Sequence, residues 1–94
     1  MKQERSIKEL LKVMLNKQEL FKGGLCSWAA MLCWKKHINK KEYVLLNTYI
    51  TDNRPSIFSS VDAFMHTTNL FYWKKGNIVP RIKWIKKHIK KLSK

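Results

Sequence analysis

Apolar residues return every three or four positions in four separate stretches of this chain, and a helix is the structure that gathers residues so spaced onto one face. In the first stretch Leu10, Leu11, Met14, Leu15 and Phe21 follow Ile7 at offsets of 3, 4, 7, 8 and 14. Ser6-Ile7-Lys8-Glu9 precedes them as a capping box, in which a hydroxyl and a carboxylate satisfy the first amides of a helix from both sides. Gly23-Gly24 stops this helix, because glycine accepts the left-handed conformation at a C-terminal cap. The spacing predicts one continuous helix between the two signals.

A second helix is expected from about Cys26 to Lys36. Leu25, Trp28, Ala29, Leu32 and Cys33 share its inner face, and Met31 and Trp34 widen it, so this helix is expected to be the most buried. Lys35, Lys36 and His37 suit its negative C-terminal end. Asn39-Lys40-Lys41-Glu42 repeats the capping-box pattern with Asn in the cap position. It opens a third helix with Tyr43, Leu46 and Ile50 on one face and Leu45 and Tyr49 flanking them. Asn53-Arg54-Pro55 closes it, since the residue before proline is pushed out of helical geometry. Ser56 to Ser60 reads as a loop, followed by a short helix carrying Val61, Phe64 and Met65. The aromatic run Leu70-Phe71-Tyr72-Trp73 and the turn Lys74-Lys75-Gly76-Asn77 predict an irregular segment or a small hairpin near 70–79. The last helix starts near Pro80, with Ile82, Ile85, Ile89 and Leu92 as a narrow inner stripe. The fold class is therefore all-α, a compact bundle of four to five helices in one domain spanning residues 1–94. A chain of this length buries roughly two-thirds of its unfolded surface, enough for one modest core.

Charge is the second constraint. Twenty Lys and Arg face six Asp and Glu, a net charge of +14. Solubility asks for a magnitude of only ~2–8 in a small domain. The excess repels itself within the fold and attracts polyanions outside it. A lysine-rich source genome is the plain alternative, but the acids are unevenly spread: residues 74–94 hold nine bases and no acid. Without acids for i,i+4 pairing, such a helix surface is more one-sided than solvation requires. A cationic amphipathic helix can also lie on a membrane. Here the isoleucine stripe is narrow and is needed for packing, so no membrane association is expected.

Catalytic groups are sparse. The six acids are scattered, and Asp52 and Asp62 lie ten positions apart across a proline loop, which gives that pair no defined geometry. His37, His66 and His88 fall in different elements, and no local pattern gives a nucleophile its base and orienter. Gly23-Gly24 lacks the Lys and Ser/Thr of a phosphate loop. Cys33 and His37 are four apart and Cys26 lies further back, but a closed zinc site needs four well-spaced ligands. On a shared helix Cys26 and Cys33 would stand ~10 Å apart, too far for a disulfide. Neither an enzyme, a metal site nor a cofactor is expected, and both cysteines read as small core residues. With no signal peptide in MKQERSIKELLK, the expectation is a soluble protein of a reducing, cytoplasmic compartment.

The candidate binding residues combine bases with aromatic rings: Tyr72, Trp73, Lys74, Lys75, Arg81 and Trp84, joined by Arg54 at the preceding loop and by Lys87 on the last helix. Rings stack on nucleobases, while Lys and Arg hold phosphates. Arg81 sits near a helix start, where exposed amides also favour an anion. The plainer reading makes Tyr72, Trp73 and Trp84 core residues, and the sequence leaves both readings open.

The order Cys26-Ser27, Asn53-Arg54-Pro55, Tyr72-Trp73-Lys74-Lys75-Gly76, Pro80-Arg81-Ile82-Lys83-Trp84 resembles small uncharacterised bacteriophage proteins over about residues 25–92. The resemblance implies a phage setting in the cytoplasm of a bacterial host, and it brings no established activity or site. Small phage accessory proteins are often counter-defence factors, some of them oligomeric helical sponges for nucleotide signals; this chain is similar to those in size, helicity and charge, an analogy of class alone. Three functions follow as expectations. The first is capture of an anionic nucleotide, in a pocket at the interface of a homo-oligomer. The second is binding of nucleic acid or inhibition of a host nucleoprotein complex; a helix-turn-helix is disfavoured, because the Lys35–Asn39 connection has no glycine. The third is an adaptor docking on an acidic host defence protein.

Overall fold

A computed structural model of the chain describes residues 5–23, 27–55 and 79–93, and their side chains except at 21–23, 79 and 80; among the described residues five helices carry the regular structure. They are α1 (Ile7–Asn16), α2 (Gln18–Gly23), α3 (Trp28–Trp34), α4 (Lys40–Asn53) and α5 (Val79–Leu92). No strand occurs among the described residues, and the fold is an all-α bundle. Its Cα radius of gyration, 12.5 Å, matches the ~12 Å that a compact chain of this length has. The short helix expected after Ser60 and the irregular or hairpin segment near 70–79 lie outside the described residues.

Helix α1 begins where the sequence places it. Ser6 Oγ accepts from the Glu9 amide at 3.2 Å, and Glu9 Oε1 accepts from the Ser6 amide at 3.0 Å, completing the capping box. Leu10, Leu11 and Met14 are buried on its inner face. The expected single helix is instead jointed at Lys17, where the backbone leaves helical geometry (φ −117°, ψ 43°). The Lys17 carbonyl, released from the helical ladder, accepts from the Trp28 indole at 3.1 Å and from the Leu20 amide at 3.0 Å. Trp28 is fully buried, so the joint provides its one polar atom with an acceptor inside the core.

Helix α3 is shorter than expected, beginning after Ser27, whose hydroxyl accepts from the Ala30 amide at 3.1 Å. Its C-terminal end is a Schellman motif: the His37 amide donates to the Leu32 carbonyl at 2.9 Å and the Lys36 amide to that of Cys33 at 3.0 Å. The motif needs a left-handed residue, normally glycine, and Lys36 occupies it with φ 64°. A left-handed lysine costs about 1–2 kcal/mol, part of which glycine returns through its looser unfolded state. Lys36→Gly is therefore expected to stabilise the fold by about 0.5–1 kcal/mol in urea unfolding. A lowered midpoint would show that Lys36 makes compensating contacts. Met31 lies inside as expected, but Trp34 does not: it is 71% exposed, because α3 ends there and turns away.

Helix α4 starts with the predicted capping box, Asn39 Oδ1 accepting from the Glu42 amide at 2.8 Å and Glu42 Oε1 from the Asn39 amide at 2.9 Å. Leu46 and Ile50 are buried, Tyr43 and Tyr49 half-buried, and Leu45 faces solvent. The helix ends at Asn53, before Arg54-Pro55. Helix α5 is turned relative to the expected stripe: Arg81, Trp84, Ile85 and His88 are buried, Ile82 and Ile89 lie at the edge, and Leu92 is exposed. At 100° per residue that is a rotation of roughly 60°, which brings the larger ring of Trp84 inside. Helix α1 packs against α5, α4 and α3, and α3 packs against α4 and α2.

Candidate anion-binding surfaces

The outer face of α5 carries Lys83, Lys86, Lys87, Lys90 and Lys91, all exposed. At 100° per residue they occupy an arc of about 140° opposite the buried face. Among the described residues no carboxylate comes within ion-pair distance of any of them. The helix beneath is fixed by Ile85, fully buried in the main core cluster with Leu10 and Leu11 of α1. The lysines therefore stand on a rigid rod, with their charge uncompensated from within.

The other expected binding residues divide. Lys87 belongs to the solvent face. Arg81 lies on the opposite side of α5, fully buried, and loss of water pushes its guanidinium down to about 9. Trp84 is 9% exposed and donates its indole hydrogen to the Asn53 carbonyl at 3.2 Å. That bond brings Trp84 to the end of α4 beside Arg54, which is half-buried and donates from Nη1 to the Thr51 carbonyl. The structure thus gathers Arg54 and Trp84 at one junction, but with the indole turned inward. Tyr72, Trp73, Lys74 and Lys75 lie outside the described residues.

Behind the lysine face, rings fill the contact between α4 and α5. Tyr49 Oη lies 2.6 Å from His88 Nδ1, and Trp84 stacks on the imidazole at 4.2 Å between centroids. Tyr49 meets both rings edge-on. Burial lowers the His88 pKa, and the neighbouring charges of Lys91 and Lys87 lower it further. A neutral imidazole accepts from the phenol; a protonated one has no lone pair at Nδ1 and loses that bond. Because the folded pKa lies below the unfolded value, the unfolded chain binds the proton more readily. Stability is then complete above the unfolded value of about 6.5 and declines as pH falls below it. Thermal melts between about pH 8 and 5 are expected to show this decline, and His88→Phe to remove that part of it. A wild-type Tm that stays flat across this interval contradicts the assignment.

A cleft of about 820 Å³ opens where α3 turns into α4. Arg5, Cys33, Lys36, His37, Lys40 and Glu42 line it. Arg5 grips Glu42 with a guanidinium fork, Nε to Oε2 at 2.8 Å and Nη2 to Oε1 at 3.0 Å, while its amide donates to Oε2 at 3.0 Å. Nη2 also donates to the His37 carbonyl at 2.8 Å, tying the chain before α1 to the α3–α4 turn. The Arg5 hydrogen bonds hold the buried Glu42 carboxyl down at about 2. Arg5 and Glu42 cancel, so Lys36 and Lys40, both exposed, leave the cleft with two positive charges. Sequence reasoning missed Arg5, Lys36, Lys40 and Glu42 as a group. Its one visible trace was the Asn39–Glu42 capping box.

Cys33 is a free, half-buried thiol on the cleft wall. Among the described residues no three His, Cys, Asp or Glu side chains gather as metal ligands, and no helix is long and apolar enough to cross a membrane. Comparison of the chain with protein-family models, curated proteins and solved structures finds no match.

Proposed function

We propose that this is a non-enzymatic protein that binds a phosphate polyanion, a nucleic acid, along the lysine face of α5. The observation that carries the reading is the set of five exposed lysines on one arc of a core-anchored helix, with no carboxylate partner among the described residues. Phosphates arrayed along a strand suit such a row, because each neutralised phosphate releases condensed counterions. Of the expected anionic ligands, an extended polyanion fits this face better than a single nucleotide. The lysines stand on an open helix surface, and Arg81 and Trp84, which a nucleotide pocket there needs as its wall, are interior side chains. In the phage setting that the sequence order suggests, such a protein acts on host or viral nucleic acid, or on a nucleoprotein.

The test is fluorescence anisotropy with a short labelled duplex over about 50–200 mM salt. Engagement of all five lysines gives a log–log slope near −4.5, from about −0.9 per phosphate. Absence of duplex and single-strand binding at the lowest salt removes this reading and leaves an acidic protein as the partner of the same face.

A further inference from the structure

Helix α4 carries an outer row that the packing of the bundle leaves uncovered. Lys41, Leu45, Thr48 and Asp52 follow one another at steps of 4, 3 and 4. At 100° per residue they fall within an arc of about 60°, over ~16 Å of helix. All four are exposed, as is Val44 beside the row. Val44 at 54% and Leu45 at 45% are two of the four large apolar side chains that face water among the described residues. The chain has twenty bases, yet residues 42–53 hold none. The two charges that end the row stand against their own helix. A helix favours acids at its N-terminus and bases at its C-terminus, where each offsets the dipole. Here Lys41 is the second residue of α4 and Asp52 the last but one. Neither has an ion-pair partner among the described residues.

We infer that this row is a self-association surface, on which a second copy of the chain packs antiparallel about a two-fold axis. An axis crossing α4 between Leu46 and Asn47 sets Lys41 against the partner's Asp52, and Asp52 against the partner's Lys41. Each charge then lies at the end of the partner helix whose dipole it offsets. Leu45 meets the partner's Thr48 and, ~4.5 Å along the helix, the partner's Leu45. Two chains of +14 repel each other, and a base-free stretch closed by its own base and acid gives them a contact of matched charge. A single helix row buries less than the ~1,200 Å² of a stable complex, so the dimer is a weak one.

Sedimentation equilibrium of the full chain, from about 10 µM to 1 mM and without nucleic acid, reads the association. Because nucleic acid is absent, the outcome does not depend on polyanion binding by α5. The wild-type chain is expected to shift from monomer toward dimer across this range. Leu45→Glu, Lys41→Asp and Asp52→Lys are each expected to weaken association by about tenfold or more. Lys41→Asp mixed with Asp52→Lys is expected to form a heterodimer of at least wild-type affinity, because both end contacts then join opposite charges. Rescue by mixing excludes misfolding as the cause of either loss. The double variant, Lys41→Asp with Asp52→Lys, is expected to associate with itself as the wild type does. A wild-type chain that stays monomeric at the highest concentration overturns the proposal and leaves the row to a different protein or to the chain's own residues. Undiminished association in Leu45→Glu or in either charge variant, or charge variants that stay apart when mixed, overturns it as well.

Discussion

Glu42→Ala is expected to destabilise the fold by about 3 kcal/mol, read as the change in unfolding free energy at neutral pH. The carboxylate is buried and accepts four hydrogen bonds, from the Arg5 amide, the two arms of the Arg5 fork and the Asn39 amide. Removing one partner of a buried pair costs about 3–5 kcal/mol because the other charge is stranded. Here the Arg5 side chain is 40% exposed and can turn to water, which places the cost at the low end. The lowered carboxyl pKa, which those same hydrogen bonds cause, corresponds to the same scale. A carboxyl held near 2 instead of its ordinary 4.5 is stabilised by about 3 kcal/mol, at ~1.4 kcal/mol per pH unit. Because the folded pKa is the lower one, this contribution is complete above about 4.5 and disappears as pH falls toward 2. The Glu42→Ala variant is thus expected to lose less stability than wild type over that interval, below the pH at which His88 acts. Part of the cost is local, since the alanine also removes the carboxylate arm of the α4 capping box, so a cycle with Arg5→Ala isolates the ion pair. A loss under ~1 kcal/mol, or wild-type acid sensitivity in the variant, contradicts this account.

What could be read from the sequence was whatever short-range rules decide. The boxes at Ser6–Glu9 and Asn39–Glu42 need only four residues each, and both form. Pro55 is enough to end α4, and Pro80 lies in the first turn of α5. The row of lysines on α5 was legible because no acid interrupts it. The features missed are those settled by partners distant along the chain. The joint at Lys17 is stabilised by an indole eleven residues on, and the Arg5–Glu42 pair spans 37 residues. Periodicity also assumes that apolar residues define the inner face. In α5 Arg81 and His88 go inside with Trp84 and Ile85, while Ile82 and Ile89 move to the edge. The Schellman turn was hidden for a similar reason: its left-handed position holds Lys36, and no residue preference points to lysine there. With that turn unseen, neither the exposure of Trp34 nor the cleft at the α3–α4 turn was visible.

Replacing Lys83, Lys87 and Lys90 together with glutamine is expected to weaken duplex binding by roughly 500-fold at about 0.1 M salt. Each phosphate contact contributes about 0.9 to the log–log salt slope, so three lost contacts reduce its magnitude by about 2.7. Extrapolated from 1 M, that difference amounts to roughly a 500-fold loss at 0.1 M. Glutamine keeps helix propensity and a polar tip, and all three positions are exposed, so the fold is expected to hold. Their mutual repulsion is also relieved, and the Tm is expected to stay level or rise. Two comparisons separate the geometry of the face from bulk charge. Lys8, Lys12 and Lys41 belong to α1 and α4, so glutamine at those three lowers the net charge equally without touching α5. Equal losses in the two triple variants mean that net charge of +14, not an organised surface, attracts the polyanion. A reduced salt slope confined to the α5 variant means that phosphates lie along that helix. The outcome depends on the rotation of α5: the inward turn of Arg81, Trp84 and His88 is what leaves a continuous arc of lysines facing water.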